Sequence, residues 1–180
     1  MQATKPHART RPQQPQLLEM PSQKMAVVYS KGDPNLVGTG IFPALYGAVY
    51  TLKFALKKQG RDMKISPPRA RWPNAHLAPK EEWIGVWGIP IPADITSLTP
   101  KVAEPEVKLE VWEYGSVAQV LHLGLYSEEM PTVERLQQFI TDSGYEIAGP
   151  HEEEYLTRPN VKAPKTIIRY VVRKKAPGQP

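Results

Sequence analysis

The feature that most constrains this chain is a pattern it carries twice, and a repeat decides the architecture before any single element is placed. Met25-Ala26-Val27-Val28-Tyr29-Ser30-Lys31-Gly32 can be laid on Val117-Ala118-Gln119-Val120-Leu121-His122-Leu123-Gly124, with Ala and Gly at the same spacing. An apolar-polar segment precedes each, Leu17 to Pro21 in one and Leu109 to Tyr114 in the other. A helical stretch follows each, and then Lys64 to Trp72 matches Glu146 to Glu154, which sets Arg71 and Glu153 at equivalent positions. Each copy closes on an apolar strand, Trp83 to Ile89 and Thr166 to Val172. The repeating unit is therefore strand, strand, helix, strand, strand.

Two such units, about 17–92 and 107–173, predict an α+β fold with pseudo-two-fold symmetry. One antiparallel sheet would carry both helices on one face and an open ligand cleft on the other. Proline suits a first helical turn and glycine a left-handed C-cap, so the first helix is expected from Pro43 to Gly60. Its apolar face would be Leu45, Ala48, Val49, Leu52, Ala55 and Leu56. The second is expected from Pro131 to Gly144, burying Val133, Leu136, Phe139 and Ile140. Pro90 to Pro105 reads as the crossover between copies and Pro73 to Glu82 as a looser loop. Residues 17–175 then form one domain, flanked by flexible tails at 1–16 and 176–180.

Composition narrows the function. At 180 residues and 41% hydrophobic, the chain supports one core. It has no cysteine, which removes disulfides, thiolate metal sites and thiol nucleophiles and fits a reducing, cytoplasmic setting. No apolar run approaches the ~20 residues that span a bilayer, so no membrane partner is expected. A net charge of +5 would ordinarily suggest nucleic acid. The charge is concentrated at the ends, however: residues 157–180 hold seven Lys or Arg and no acid, leaving the aromatic-bearing middle acidic. A basic tail on an acidic body argues against direct nucleic-acid binding. His7, His76, His122 and His151 have no metal-ligand spacing, and phosphate-loop, nucleophile-elbow and dinucleotide motifs are missing, so neither metal nor cofactor is expected.

The candidate site centres on Glu153. Side chains alternate along a strand, so His151, Glu153 and Tyr155 share one face while Glu152 and Glu154 take the other. A triple-Glu run is ordinarily a solvated edge; near an approximate two-fold axis, Glu153 and Arg71 would instead meet at the centre of the sheet. Trp83 and Trp87 share a side with Gly85 leaving room between them, and Ile84 and Val86 suit packing under the helices. Tyr46, Tyr50 and Phe54 form a stripe at i, i+4 and i+8, which serves equally as cleft wall or core. His122 could line the cleft, although a structural histidine is the plainer reading. A carboxylate walled by rings suits planar cations, because ring faces add about 0.5 to 2 kcal/mol each of cation–π attraction. The same carboxyl, with Tyr155 as proton donor or orienting group, could act as a general acid or base.

These residues resemble the GyrI-like small-molecule-binding family. The resemblance is carried by Leu121-His122-Leu123-Gly124-Leu125-Tyr126, by Pro150 to Leu156, by Ile168-Arg169-Tyr170, and in the first half by Gly32-Asp33-Pro34-Asn35 and Leu45 to Tyr50. It implies a central Glu in an E-x-Y-L pattern, here Glu153 with Tyr155 and Leu156, in an aromatic cleft that would draw on Trp72, Trp83, Trp87, Tyr46, Tyr50, Arg71, His122 and Tyr170. It also implies a small aromatic or cationic molecule as ligand. Some free-standing members resemble cyclopropanoid hydrolases that open DNA-alkylating natural products, with the Glu as general base, and others shield a topoisomerase-like protein partner. The sequence departs from the pattern at Glu154, where relatives place an apolar residue, and at Arg71 and Pro73. No helix-turn-helix pattern precedes the first strand, which argues against a one-chain DNA-binding regulator.

Overall fold

A computed structural model describes residues 14–75, 77–158 and 160–176. Most of the expected N-terminal tail (1–13), His76, Pro159 and the C-terminal stretch 177–180 lie outside the described residues. Nine strands and two α-helices follow in the order β1 (Gln16–Met20), β2 (Gln23–Lys31), α1 (Pro34–Lys58), β3 (Arg69–Trp72), β4 (Ile84–Pro90), β5 (Lys108–Trp112), β6 (Gly115–Leu123), α2 (Met130–Asp142), β7 (Tyr145–Ile147), β8 (His151–Tyr155) and β9 (Lys165–Lys174).

The strands join into one antiparallel sheet in the order β1-β6-β9-β8-β3-β4-β2-β5, with β7 added against β9. If β1, β2, β3 and β4 are matched to β5, β6, β8 and β9, this order reads the same from either edge. The midpoint is the β8–β3 ladder. The first strand of each unit crosses over: β1 pairs with β6, and β5 pairs with β2. The expected α+β architecture is thus present as a curled sheet with two helices.

Helix α1 begins at Pro34, nine residues before the expected start, with Pro43 inside it. Both prolines satisfy the sequence rule, and the earlier one takes the N-terminal position that tolerates a missing N–H. Pro43 sits on the exposed side of the helix. The face buried below is Ile41, Ala44, Leu45, Ala48, Val49 and Leu56; Ala55 is exposed. Gly60, at φ +73°, and Gly144, at φ +78°, end the two helical segments as expected. Helix α2 buries Val133, Leu136 and Ile140.

Each helix lies over its own half of the same sheet face. Under α1 the cluster includes Ala26, Val28, Ala70, Trp72, Trp87 and Ile89; under α2 it includes Ala118, Val120, Ile168, Tyr170 and Val172. The opposite face has its own core of Met25, Val27, Val86, Trp112, Tyr114 and Val117, against which Leu18 packs. Leu18 on β1 and Trp112 on β5 come from the two edges of the main strand path, so the sheet is curled enough for its edges to share one cluster.

Residues opposite one another in an antiparallel ladder share a face. Ala70 is opposite both Trp87 and Glu153, and Trp72 is opposite His151. The tryptophans and Glu153 therefore share the helix face, and the cleft opens between the helices, which corrects its expected position on the other face. Val86 packs beneath the sheet with Met25, and Ile84 is exposed, so neither lies under the helices. Arg71 is opposite Glu152 and points away from Glu153. The proposed Arg71–Glu153 equivalence is thus out by one residue, enough to reverse the face.

Behind the β8–β3 junction lies a buried ionic network. Arg169 donates from Nη1 to Glu152 Oε1 (2.6 Å), from Nη2 to Glu154 Oε2 (2.9 Å) and from Nε to Gln119 (2.9 Å). Arg71 Nε donates to Glu152 Oε2 at 2.7 Å, and its guanidinium lies 4.1 Å from the Trp112 ring centre. Arg69 is 3.3 Å from Glu154 and donates to Tyr114, whose hydroxyl donates to Glu152. Burial disfavours the Arg169 charge, but the two carboxylates outweigh it and hold its pKa above the usual value. Removing one partner of a buried network strands the others, so Arg169→Ala is expected to cost about 3–5 kcal/mol in urea denaturation. The exposed Arg173–Glu146 pair should lose under about 1 kcal/mol in Arg173→Ala.

Candidate functional site

The cleft has a volume of about 1120 Å³. Its floor is Trp72, Trp87, His151, Glu153 and Tyr155. One wall is Phe42, Tyr46 and Tyr50 of α1; the other is Tyr126, Ser127 and Glu129, just ahead of α2. Trp83 and Lys80 come from the loop before β4, and Pro67, Pro68 and Arg158 also line the space.

The rings are locked to one another. Trp72 and Trp87 meet edge to face at 5.1 Å, Phe42 meets Trp87 at 5.3 Å, and Trp87 stacks on Tyr155 at 6.2 Å, with Tyr126 edge-on to Tyr155 at 5.6 Å. The Trp87 indole N–H donates to Ser30 Oγ at 2.9 Å, and the Trp83 indole N–H to the Ala78 carbonyl. Gly85 makes this packing possible: a Cβ there would fall 2.7 Å from Ser30 Oγ, 2.8 Å from Trp87 Nε1 and 2.9 Å from Trp72. Tyr46 and Tyr50 are 6.2 Å apart, and Phe54 continues the row outside the cleft, 56% exposed.

Glu153 is 8% exposed and held from behind. Gln137 on α2 donates to Tyr170 Oη (3.4 Å), Tyr170 Oη lies 2.9 Å from His151 Nδ1, and His151 Nε2 lies 3.1 Å from Glu153 Oε1. The consistent proton arrangement has Tyr170 donating to Nδ1 and Nε2–H donating to the carboxylate. Burial, then the charge of Glu153 and a hydrogen bond to it, raise the Tyr155 hydroxyl well above the ordinary tyrosine value. Burial followed by Glu153 does the same, less strongly, to Tyr126.

A second carboxyl joins the first. Glu129 Oε2 is buried without a hydrogen-bond partner, and burial together with the nearby Glu153 charge pushes the Glu129 pKa up to about 7, against a smaller opposing effect from His151. Glu129, His151 and Glu153 each bring one donor atom within 4.8 Å of the others. Both ring nitrogens of His151 are hydrogen-bonded, one with Tyr170 Oη and the other with Glu153 Oε1.

Of the residues expected from sequence, Glu153, Tyr155, Trp72, Trp83, Trp87, Tyr46 and Tyr50 line this one cleft. Three do not. Arg71 is engaged by Glu152 behind the sheet. His122 is buried, bonded by Thr132 Oγ1 and the Leu125 carbonyl at 3.0 Å each, and is structural. Tyr170 stands behind His151, supporting it without lining the cleft. Sequence reasoning missed Phe42, which precedes the supposed helix start, and Glu129. The only available signal for Glu129 was its place one turn before an apolar helix stripe.

The fold and the site are those of an α+β domain whose aromatic cleft is centred on an acid. The family profile of the GyrI-like small molecule binding domain matches residues 13–173, and the chain belongs to that family. Among solved structures, an uncharacterized conserved protein from Listeria innocua superposes with a TM-score of 0.79 at 24% identity, covering 90% of this chain and 93% of that one. A hydrolase from Listeria innocua gives 0.76 at the same identity and coverage. EcmrR, solved in a complex with DNA, gives 0.59 at 16% identity, covering 90% of this chain and 58% of that one. No curated protein matches the sequence. None of the described helices is long and apolar enough to cross a membrane.

The raised Glu129 pKa has a sign for stability. The folded state holds a proton between about pH 4.5 and 7 that the unfolded chain has lost, so Glu129 costs stability increasingly as pH rises through that window. Glu129→Gln should therefore stabilise the protein at pH 8, on the order of 1–3 kcal/mol, and by much less at pH 5. Thermal melts at the two pH values check this.

Proposed function

We propose that the protein binds small planar aromatic cations in the cleft around Glu153. The observation that carries this reading is a nearly buried carboxylate on a floor of Trp72, Trp87 and Tyr155, with Tyr46 and Tyr50 as a wall. Water is largely displaced there, so Glu153 offsets a ligand's charge more strongly than an exposed carboxylate would. The ring faces add cation–π and stacking attraction. The Trp87 and Trp83 rings are fixed by the Ser30 and Ala78 hydrogen bonds, which limits the conformational entropy lost on binding.

Ethidium, a permanently charged planar cation, is a suitable probe by fluorescence titration. Glu153→Gln keeps the shape and removes the charge, and it is expected to weaken binding about tenfold or more, roughly 1.4 kcal/mol or above. Unchanged affinity would count heavily against the reading.

One observation favours a second reading, in which the cleft hydrolyses a strained electrophilic ligand. Glu129, with a pKa of about 7, could hold a proton near neutrality beside the carboxylate of Glu153, and such a pairing suits general acid–base chemistry. One similar structure is that of a hydrolase. Glu153 would then draw a proton from water as the water oxygen bonds to a ring carbon and the strained C–C bond breaks, Glu129 would give its proton to the electron pair released, and Tyr155 would orient the substrate. Incubation with a cyclopropane-bearing alkylator should give ring-opened, water-added product by mass spectrometry, lost in Glu153→Gln; recovery of intact alkylator alone would leave binding as the function.

A further inference from the structure

We propose that Glu129 and Glu153 work as a pair that shares one proton in the free protein and releases it when a cationic ligand binds, so that the cleft exchanges a proton for a cation. This deepens the cation-binding reading and rests on it. Glu129 approaches from the turn before α2 and Glu153 from β8, so the two carboxyls face each other across the end of the cleft.

The geometry leaves few alternatives for their charges. Glu129 Oε2 is buried and has no hydrogen-bond partner, and its donor atom lies within 4.8 Å of those of Glu153 and His151. Two carboxylates this close in a ring-lined space cannot both ionise cheaply, and one proton between them relieves the repulsion. The groups facing Glu129 are Glu153, His151 and Tyr155 from β8, Tyr170 from β9 and Tyr126 from its own turn; Lys80 and Arg158 line the same cleft. Neither cation is ion-paired to Glu129, whereas His151 is engaged with Glu153 at 3.1 Å. A ligand cation entering the cleft supplies the missing positive charge, and the shared proton leaves to solvent. The raised Glu129 pKa places this exchange near neutrality.

Linkage fixes the direction: because the ligand prefers the doubly ionised pair, affinity rises with pH up to the pair's titration and then levels. Isothermal titration of ethidium into the full chain at pH 6, 7 and 8, in phosphate and in a second buffer of higher ionisation enthalpy that holds the same pH (Bis-Tris at pH 6 and 7, Tris at pH 8), counts the protons released from the difference in heats. The expected result is release approaching one proton at pH 6 and falling toward none at pH 8, with binding about tenfold weaker at pH 6 than at pH 8. In Glu129→Gln the release and the pH dependence should both vanish. Binding with no buffer-dependent heat at pH 6, or release that survives Glu129→Gln, overturns the exchange but leaves cation binding standing. Absence of ethidium binding at every pH overturns both. The wild-type titration decides the question even if a variant fails to fold.

Discussion

Everything at the centre of this molecule depends on how three successive glutamates are divided between two faces of one strand. Glu152 and Glu154 turn behind the sheet into a network with Arg69, Arg71 and Arg169, closed by Tyr114 and Gln119. Glu153 is left facing the rings. Because β8 carries charge at all three positions, a slip of one residue would place two carboxylates among tryptophans and one among three guanidinium groups. The buried network makes that slip very costly, so it specifies register as well as contributing contacts. It also joins the two halves: Arg69 and Arg71 come from β3 of the first unit, and Glu152, Glu154 and Arg169 from β8 and β9 of the second.

The cleft follows from that division. The two helices cover the outer parts of one sheet face and leave the middle, over β3 and β8, uncovered. Large side chains fill its floor, and Gly85 gives them the space to pack edge to face. The hydrogen-bonded line from Gln137 through Tyr170 and His151 steadies Glu153 from the α2 side. Glu129 brings a second negative charge into the same space, which is unfavourable for folding and favourable for a cation. Groups that cost stability and gain a partner on binding are characteristic of functional clefts.

Much of this was legible in the sequence. The order of elements, the α2 stripe, the glycine caps and the alternation at His151, Glu153 and Tyr155 all follow from periodicities of 2 and 3.6. What escaped has particular causes. The start of α1 was ambiguous because Pro34 and Pro43 obey the same rule. Arg71 was misplaced because short repeats fix an alignment only to within a residue, while facing reverses with each residue. Isoleucine and valine at 84 and 86 suit a core and the tryptophans a cleft wall, which sets the former under the helices; yet both faces of the sheet have cores, and the tryptophans take the helix side. The role of Glu129 depends on a contact between the two ends of a 24-residue separation, which no local pattern encodes. His122 and His151 are told apart by place and partners: His122 meets Thr132 and the Leu125 carbonyl away from the cleft, and His151 meets Tyr170 and Glu153 on its floor.

On this reading the carboxylate at 153 faces a bound cation among the rings while its two neighbours stay neutralised behind the sheet. A crystal structure of the protein soaked with a planar aromatic cation tests it most directly. Density for the ligand's ring system is expected against Trp87 and Tyr46, with its charged end beside Glu153 and Glu152 and Glu154 still held by Arg169. A ligand seated elsewhere, or a Glu153 side chain turned out into solvent with Glu152 or Glu154 in its place, would contradict it.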